Sequence, residues 1–244
     1  MSDFEDDEAD YPNFPNAPVA LVPRYIPSPT MEDFILSTAN GHPREMRVLL
    51  LMGSRGLGKT TAALYALIAL ARRLIDDGLA MLLPIRVAIV RDTWTNLSRT
   101  TIVTFKQNAQ RGIPMTWKDQ DREVIIEFER PYLHCYFYGI DNAQDADKAQ
   151  GFEGGVLWLE EVAPAASMDA GIPKEALIAA TSLRQPGIPR RVLIPFNPPD
   201  RDHWVLTIEE ALEELDIPEL LVHRFDVPPQ EKSEHFRAMA AAAM

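Results

Sequence analysis

The chain has 244 residues, of which 46% are apolar, 25% are charged and only Cys135 is a cysteine. This apolar fraction supports a packed core and excludes a globally disordered chain. A single cysteine excludes an internal disulfide framework and a cysteine-based zinc site, and it favours an intracellular compartment. The longest apolar run, Ala62 to Ala71, has ten residues, whereas a membrane-spanning helix needs about 20.

The net charge of −12 is concentrated in two acidic blocks. Residues 1–10 contain six acidic residues, residues 209–219 contain six more, and neither block contains a basic residue. The rest of the chain carries 24 acidic and 24 basic residues. Because tight DNA binding by a single domain usually requires a basic face, this balance argues against autonomous high-affinity DNA binding.

Residues 1–30 are predicted to form an acidic, proline-rich N-terminal arm. The first ten residues are rich in acids, and six prolines follow between positions 12 and 29. Proline fixes φ and removes a backbone donor, so neither a helix nor a central strand forms easily there. No charged segment followed by an apolar one opens the chain, so we expect no signal peptide.

From about residue 46, short apolar runs alternate with segments of helical periodicity. The runs predict strands at 46–52, 85–90, 124–128, 133–138, 156–159, 191–196 and 220–227. Helices are predicted at 59–77, 93–110 and 174–183, and a further helical face extends from Trp204 to Leu215. Arg130 and Pro131 indicate a hairpin between the third and fourth strands. This alternation predicts an α/β domain with a largely parallel central sheet flanked by helices.

The segment after the first strand matches the phosphate-binding pattern G-x-x-x-x-G-K-[ST], known as Walker A. Its glycines let backbone N–H groups converge on phosphate, and the helix that follows adds the positive end of its dipole. Lys59 is predicted to reach the β- and γ-phosphates of ATP, and the Thr60 hydroxyl to bind Mg²⁺. The predicted nucleotide-binding residues are Gly53, Ser54, Arg55, Gly56, Leu57, Gly58, Lys59, Thr60 and Thr61.

Polar residues follow two further predicted strands. Glu160 and Glu161 come directly after the apolar strand 156–159, and Asn197 follows the strand 191–196. Open α/β sheets bind ligands at the carboxyl ends of their strands, so all three are expected near the phosphate loop. Glu160 is predicted to support Mg²⁺, directly or through water, and Glu161 to act as general base on the attacking water. Asn197 is predicted to contact the γ-phosphate or that water, with a simple Asn-Pro turn as the alternative.

Together these motifs resemble those of phage terminase large subunits. Residues 53–61 resemble their phosphate loop, which often contains an arginine, and residues 151–161 resemble their second nucleotide motif (Walker B), which can also contain a glutamate pair. Phe196-Asn197-Pro198, followed by Trp204, resembles their coupling motif, and residues 25–30 resemble their adenine-side segment. The resemblance covers about residues 24–230.

The resemblance implies an ASCE-type P-loop ATPase that uses ATP and Mg²⁺ to drive double-stranded viral DNA into a procapsid. Asn197 would couple hydrolysis to movement. The implied partners are transiently bound DNA, the portal protein and a small terminase subunit. The domain would form a homo-oligomeric ring in the assembled motor and could be a monomer in isolation. Its expected location is the host cytoplasm, docked on the procapsid.

The same resemblance implies a basic residue that acts on the nucleotide of a neighbouring subunit. In the family this residue is an arginine shortly before the second motif, where the present chain has Lys148. Lys148 is therefore one candidate, and Arg55 within its own subunit and Arg184 are the others. A guanidinium at Arg55 could offset charge on the γ-phosphate, or it could simply face solvent.

Residues 31–228 are predicted to form the ATPase domain and residues 229–244 the start of a linker. Family members continue into an RNase H-like nuclease domain, so no nuclease activity is expected of this chain. Two rival functions are a helicase-like ATPase that translocates nucleic acid and a non-hydrolysing nucleotide-binding assembly protein. We expect Trp158 in the core and no metal-binding role for any of the five histidines. Arg91 closes a strand and is expected among the exposed bases, with contact to nucleotide or DNA as the alternative.

Overall fold

Eight strands form one sheet in the computed structural model, which describes residues 25–40, 45–118, 120, 122–140, 151–163, 171–199, 202–217 and 221–231. The strands are β1 (Arg47–Met52), β2 (Ile85–Arg91), β3 (Met115–Lys118), β4 (Glu123–Glu127), β5 (Pro131–Gly139), β6 (Val156–Leu159), β7 (Arg191–Phe196) and β8 (Leu221–Asp226). Their order is β3-β4-β5-β2-β6-β7-β1-β8. Neighbouring strands are parallel, except that β4 is antiparallel to both β3 and β5.

Helices connect these strands. The α-helices are α1 (Pro29–Ala39), α2 (Lys59–Asp76), α3 (Trp94–Asn96), α4 (Ile102–Gln110) and α5 (Ile208–Glu214). A π-helical turn (Leu97–Thr101) joins α3 to α4, and 3₁₀ helices occupy Ala80–Leu82 and Lys174–Ser182. Across the described ranges, no helix combines the length and the apolar character needed to cross a membrane.

The strand order brings the carboxyl ends of β1, β6 and β7 to one edge of the sheet. β7 lies between the other two, since Leu50 of β1 is level with Ile194 and Trp158 of β6 is level with Leu193. One strand therefore separates the strand before the phosphate loop from the strand before the paired glutamates, as in the ASCE-type arrangement. The predicted α/β P-loop fold, with a largely parallel sheet flanked by helices, is confirmed.

Apolar side chains cover both faces of the central strands, as is usual in parallel sheets. Helices α1 and α2 pack on one face, where Phe34 and Leu67 are fully buried with Trp158 of β6. The 3₁₀ helix Lys174–Ser182 and α5 contribute Leu177 and Leu212 to the core on the other face. Burial on two sides fixes the central strands and therefore the positions of the loops at their ends.

The sequence pattern does not predict helix α1, which begins at Pro29 within the predicted N-terminal arm. Its first turn is held by Thr30, whose backbone N–H and hydroxyl donate to the Glu231 carboxylate at 3.2 and 2.7 Å. Just before the helix, Tyr25 packs on Tyr65 of α2 with ring centroids 4.8 Å apart. Residues 25–30 thus pack on the domain through contacts that are distant in sequence.

Arg191 of β7 connects the carboxyl end of α1 to the sheet. Its guanidinium is fully buried and donates to the carbonyl oxygens of Thr38, Asn40 and Glu45 at 3.0, 2.8 and 3.1 Å. Burial, reinforced by the charge of Arg47, lowers the pKa of Arg191 to about 10, so the side chain is still protonated at neutral pH. Arg191 therefore satisfies carbonyl groups that the end of α1 and the following loop leave without helical partners.

The remaining differences from the sequence prediction are local. Lys174–Ser182 is a 3₁₀ helix, the helical face predicted from Trp204 becomes an α-helix only at Ile208, and β3 was not predicted. The helix predicted at 93–110 contains a π-helical turn. Lys148, residues 1–24 and residues 232–244 lie outside the described residues, so the predictions made for them stay predictions.

Replacing Arg191 with methionine should strongly destabilise the domain. The variant keeps an apolar side chain in β7 but removes the donor to the buried carbonyl of Thr38, at about 1–3 kcal/mol, and to the partly buried carbonyls of Asn40 and Glu45. We expect the free energy of unfolding, measured by chemical denaturation, to fall by about 3 kcal/mol or more. Arg72→Met is the matched control, because it removes only a surface pair with Asp76 on α2, worth about 0.5 kcal/mol. Equal effects of the two substitutions would contradict this role of Arg191.

Candidate active site

The phosphate loop runs from Gly53 to Gly58, between β1 and α2. Gly56 and Gly58 have φ angles of 80° and 81°, in the left-handed region that favours glycine. At Gly53, a Cβ atom would lie 2.8 Å from Leu57 Cδ1 and 3.3 Å from Val227 Cβ, so a side chain would not fit without a shift. The loop leads directly into the first turn of the 18-residue helix α2, where backbone N–H groups and the helix dipole favour an anion.

Lys59 is buried inside this loop, with 5% of its surface exposed. Its Nζ donates to the carbonyl oxygens of Gly53 and Ser54 at 2.9 and 3.1 Å. It also donates to Oδ1 of Asn197, the residue after β7, at 2.9 Å. The ammonium group is thus held where the loop backbone and the end of β7 meet.

Glu160 lies at the end of β6 and is almost completely buried. Its Oε1 accepts a hydrogen bond from Thr60 Oγ1 at 2.6 Å, and its Oε2 accepts one from Trp158 Nε1 at 2.7 Å. Burial, together with the charge of Glu161, raises the pKa of Glu160 to about 7, against the opposing effects of both hydrogen bonds and the charge of Arg91.

The Thr60 hydroxyl and the Glu160 carboxylate are hard oxygen ligands of the type that Mg²⁺ prefers. Within the described ranges, no three His, Cys, Asp or Glu side chains cluster as a metal site by themselves. A magnesium ion at Thr60 and Glu160 would therefore depend on phosphate and water for its other ligands, as is usual for nucleotide-bound Mg²⁺. The residues present fit that arrangement, because a buried acid with a raised pKa has no full counter-charge of its own.

Glu161 has an unusual backbone conformation for a residue with a side chain. Its φ is 54°, and its N–H donates to the carbonyl oxygen of Pro195 in β7 at 3.0 Å. Its Oε2 accepts a hydrogen bond from Nδ2 of Asn197 at 2.6 Å. The left-handed conformation costs about 1 kcal/mol or more outside glycine, and it turns Glu161 toward the end of β7.

The structure brings five of the predicted site residues together: Lys59, Thr60, Glu160, Glu161 and Asn197. Thr61 is buried in the first turn of α2, whereas Ser54 and Arg55 are exposed in the loop. Lys148 is outside the described residues, so its role and the role of Arg55 stay predictions.

Two residues near the site were not among its predicted residues, although contact of Arg91 with nucleotide was left open. Trp158 is in the core, as predicted, but its indole N–H also holds Glu160. Residues two apart on a strand face the same side, so this contact could have been anticipated. Arg91 was expected among the exposed bases, and this was wrong, because its side chain is only 14% exposed. It ends β2 beside β6, close enough for its charge to lower the pKa of Glu160.

No protein-family model and no curated protein matches this sequence. Solved structures do match. The large terminase of the thermophilic bacteriophage D6E is 20% identical, with a TM-score of 0.56 over 87% of this chain and 50% of the terminase. The N-terminal domain of the DNA-packaging ATPase of bacteriophage phi29 is 14% identical, with a TM-score of 0.51 over 81% of this chain and 94% of that domain. The fold is that of the phage packaging ATPases.

A third similar structure is the large terminase of bacteriophage HK97, at 12% identity and a TM-score of 0.51 over 93% of this chain. The present chain spans about half the length of the D6E and HK97 terminases. The D6E protein has also been solved with ADP and with ATP-gamma-S. The resemblance stated from the sequence motifs therefore extends to the three-dimensional fold.

The raised pKa of Glu160 predicts a specific pH dependence of stability in the absence of nucleotide and Mg²⁺. The folded state keeps the Glu160 proton up to about pH 7, whereas the unfolded chain releases it near the ordinary value of 4.5. The contribution of Glu160 is therefore fully present below pH 4.5 and is lost as the pH rises to about 7.

Glu160→Gln is the matched variant, because glutamine can accept from Trp158 and donate to Thr60 without titrating. We expect its free energy of unfolding to rise relative to wild type by about 3 kcal/mol across this pH range. The free energy of unfolding of both proteins is measured with denaturant at each pH. The difference between them removes the contribution of the other titrating groups, because both proteins contain those groups. A difference that does not change with pH would contradict a protonated Glu160.

Proposed function

We propose that this chain is the ATPase domain of a phage DNA-packaging motor, which hydrolyses ATP with Mg²⁺ to translocate double-stranded DNA into a procapsid. The observation that carries the proposal is the contact of Asn197 with both Lys59 and Glu161 at one edge of the sheet. It joins a phosphate-binding lysine to a candidate general base. The fold shared with packaging ATPases supports DNA packaging as the process that ATP hydrolysis drives.

In the proposed reaction, Lys59 and the loop N–H groups bind the ATP phosphates, and Thr60 and Glu160 hold Mg²⁺. The metal ion would neutralise phosphate charge when it is bound with ATP. ATP would compete with the loop carbonyls and with Asn197 Oδ1 for the Lys59 ammonium group. Arg55 in its own subunit, or Lys148 from a neighbour, would balance the remaining charge in the transition state.

Glu161 is the proposed general base. A carboxylate oxygen of Glu161 accepts the proton of the attacking water while that water attacks the γ-phosphate. The hydrogen bond from Asn197 Nδ2 fixes the direction of the carboxylate. Because the same amide contacts Lys59, Asn197 can report phosphate occupancy to Glu161, which is the proposed basis of coupling to movement.

We further propose that the domain works in a homo-oligomeric ring docked on the portal protein in the host cytoplasm, with a small terminase subunit as partner. The even balance of charge outside the two acidic blocks suits transient contact with DNA by several subunits, since none of them needs to bind tightly alone. A helicase-like ATPase would use the same site. Stimulation of ATP turnover by single-stranded but not double-stranded DNA would favour that rival.

Glu161→Gln should strongly slow ATP hydrolysis without abolishing ATP binding. Loss of a general base typically costs about 10²- to 10⁴-fold in rate, and we expect a fall in kcat within this range from phosphate release with ATP and Mg²⁺. Affinity for a fluorescent ATP analogue should be retained, whereas Lys59→Ala should lose it.

Glu213→Gln is the matched control, because it makes the same chemical change on the exposed surface of α5 and should leave turnover unchanged. Full turnover by Glu161→Gln would contradict the assignment of the base. A wild-type protein that binds ATP without releasing phosphate would instead favour a non-hydrolysing assembly protein.

A further inference from the structure

Trp204 makes a hydrogen bond that the packing of an apolar side chain does not require. Its indole Nε1 donates to the carbonyl oxygen of Ile172 at 3.0 Å, while its ring packs against the apolar core on the α5 side of the sheet. Ile172 is buried, and its own N–H donates to the carbonyl oxygen of Val162 at 3.1 Å. Val162 directly follows Glu161, so two hydrogen bonds connect Trp204 to the backbone beside the candidate base.

His203 precedes Trp204 and contacts the backbone that follows it. Its Nδ1 accepts a hydrogen bond from the N–H of Val205 at 3.2 Å, so a neutral ring carries its proton on Nε2. Burial lowers the pKa of His203, and an interaction with the Val162 backbone opposes that shift. The rings of His203 and Trp204 lie 5.5 Å apart between centroids.

The segment that follows β7 therefore holds Glu161 and Val162 at two points. Asn197 donates to the carboxylate of Glu161, and Trp204 acts on the backbone of Val162 through Ile172. Val162, Ile172 and Val205 are all buried, so these contacts are sheltered from water. A left-handed residue such as Glu161 keeps its conformation only when its surroundings impose it.

We propose that Trp204 is a positioning residue for Glu161, which clamps the backbone after it through Ile172 and thereby aims its carboxylate at the reacting water. This inference rests on the proposed role of Glu161 as general base. Asn197 lies at the end of β7 and contacts Lys59 as well, so a change at that strand end would alter the aim of the base and the contact with Lys59 together.

Trp204→Phe removes the indole N–H and keeps an aromatic ring in the same place. Loss of one hydrogen bond that positions a catalytic group should lower kcat about threefold to tenfold. The KM for ATP and the affinity for a fluorescent ATP analogue should not change, because Trp204 touches none of the phosphate-binding residues. Trp117→Phe is the matched control on β3, where Trp117 stacks on Phe137 at the far end of the sheet.

A double variant tests whether the effect passes through Glu161. In a Glu161→Gln background, Trp204→Phe should cause no further loss of the residual turnover, because residues that act as one unit are not additive. Three results would each overturn the proposal. Trp204→Phe could keep the wild-type kcat, it could raise only the KM for ATP, or it could lower turnover equally in the wild-type and Glu161→Gln backgrounds.

Hydrogen exchange tests the clamp without using activity. The Ile172 amide should exchange about tenfold faster in Trp204→Phe than in wild type, because its hydrogen bond to Val162 loses the support of the indole. The Trp117→Phe protein should show no such change. Unchanged Ile172 exchange would overturn the clamp, whereas full turnover by Glu161→Gln would overturn the proposed base and leave the exchange result intact.

Discussion

One side-chain amide links the two halves of the candidate active site. Asn197 accepts a hydrogen bond from Lys59 Nζ at 2.9 Å and donates one to Glu161 Oε2 at 2.6 Å. These contacts are possible because β7 lies between β1 and β6, so the residue after β7 emerges between the phosphate loop and the paired glutamates. The buried apolar strands fix that order. The Asn197 amide therefore connects the phosphate-binding Lys59 to the candidate base Glu161.

The buried Glu160 carboxylate lies where Mg²⁺ bound with a nucleotide would supply positive charge. Glu160 is buried with a raised pKa, and the charge of Arg91 only partly offsets the loss of solvation. In the described part of the acidic block, residues 209–217, two members form surface ion pairs away from the site, Glu209 with Arg224 and Glu214 with Lys174. The net charge of −12 therefore says little about the active site, and the acidic face of α5 does not enter it.

Local patterns predicted most of the fold and most of the candidate site. β6 and β7 match the predicted ranges because each is a continuous apolar run, and Lys59, Thr60, Glu160, Glu161 and Asn197 follow from motifs at strand ends. Helix α1 could not be predicted, because it depends on Glu231 and Arg191, which lie far away in sequence. The hydrogen bond of Trp204 was also missed, since periodicity identifies apolar packing but not the partner of an indole N–H.

The most direct test of the account is single-turnover phosphate release by Asn197→Ala, measured with saturating ATP and Mg²⁺. The account predicts that this protein binds ATP but cleaves it at least about tenfold more slowly, because Glu161 loses the hydrogen bond that orients it. Cleavage at the wild-type rate with unchanged ATP affinity would contradict the claim that Asn197 connects the phosphate loop to the base.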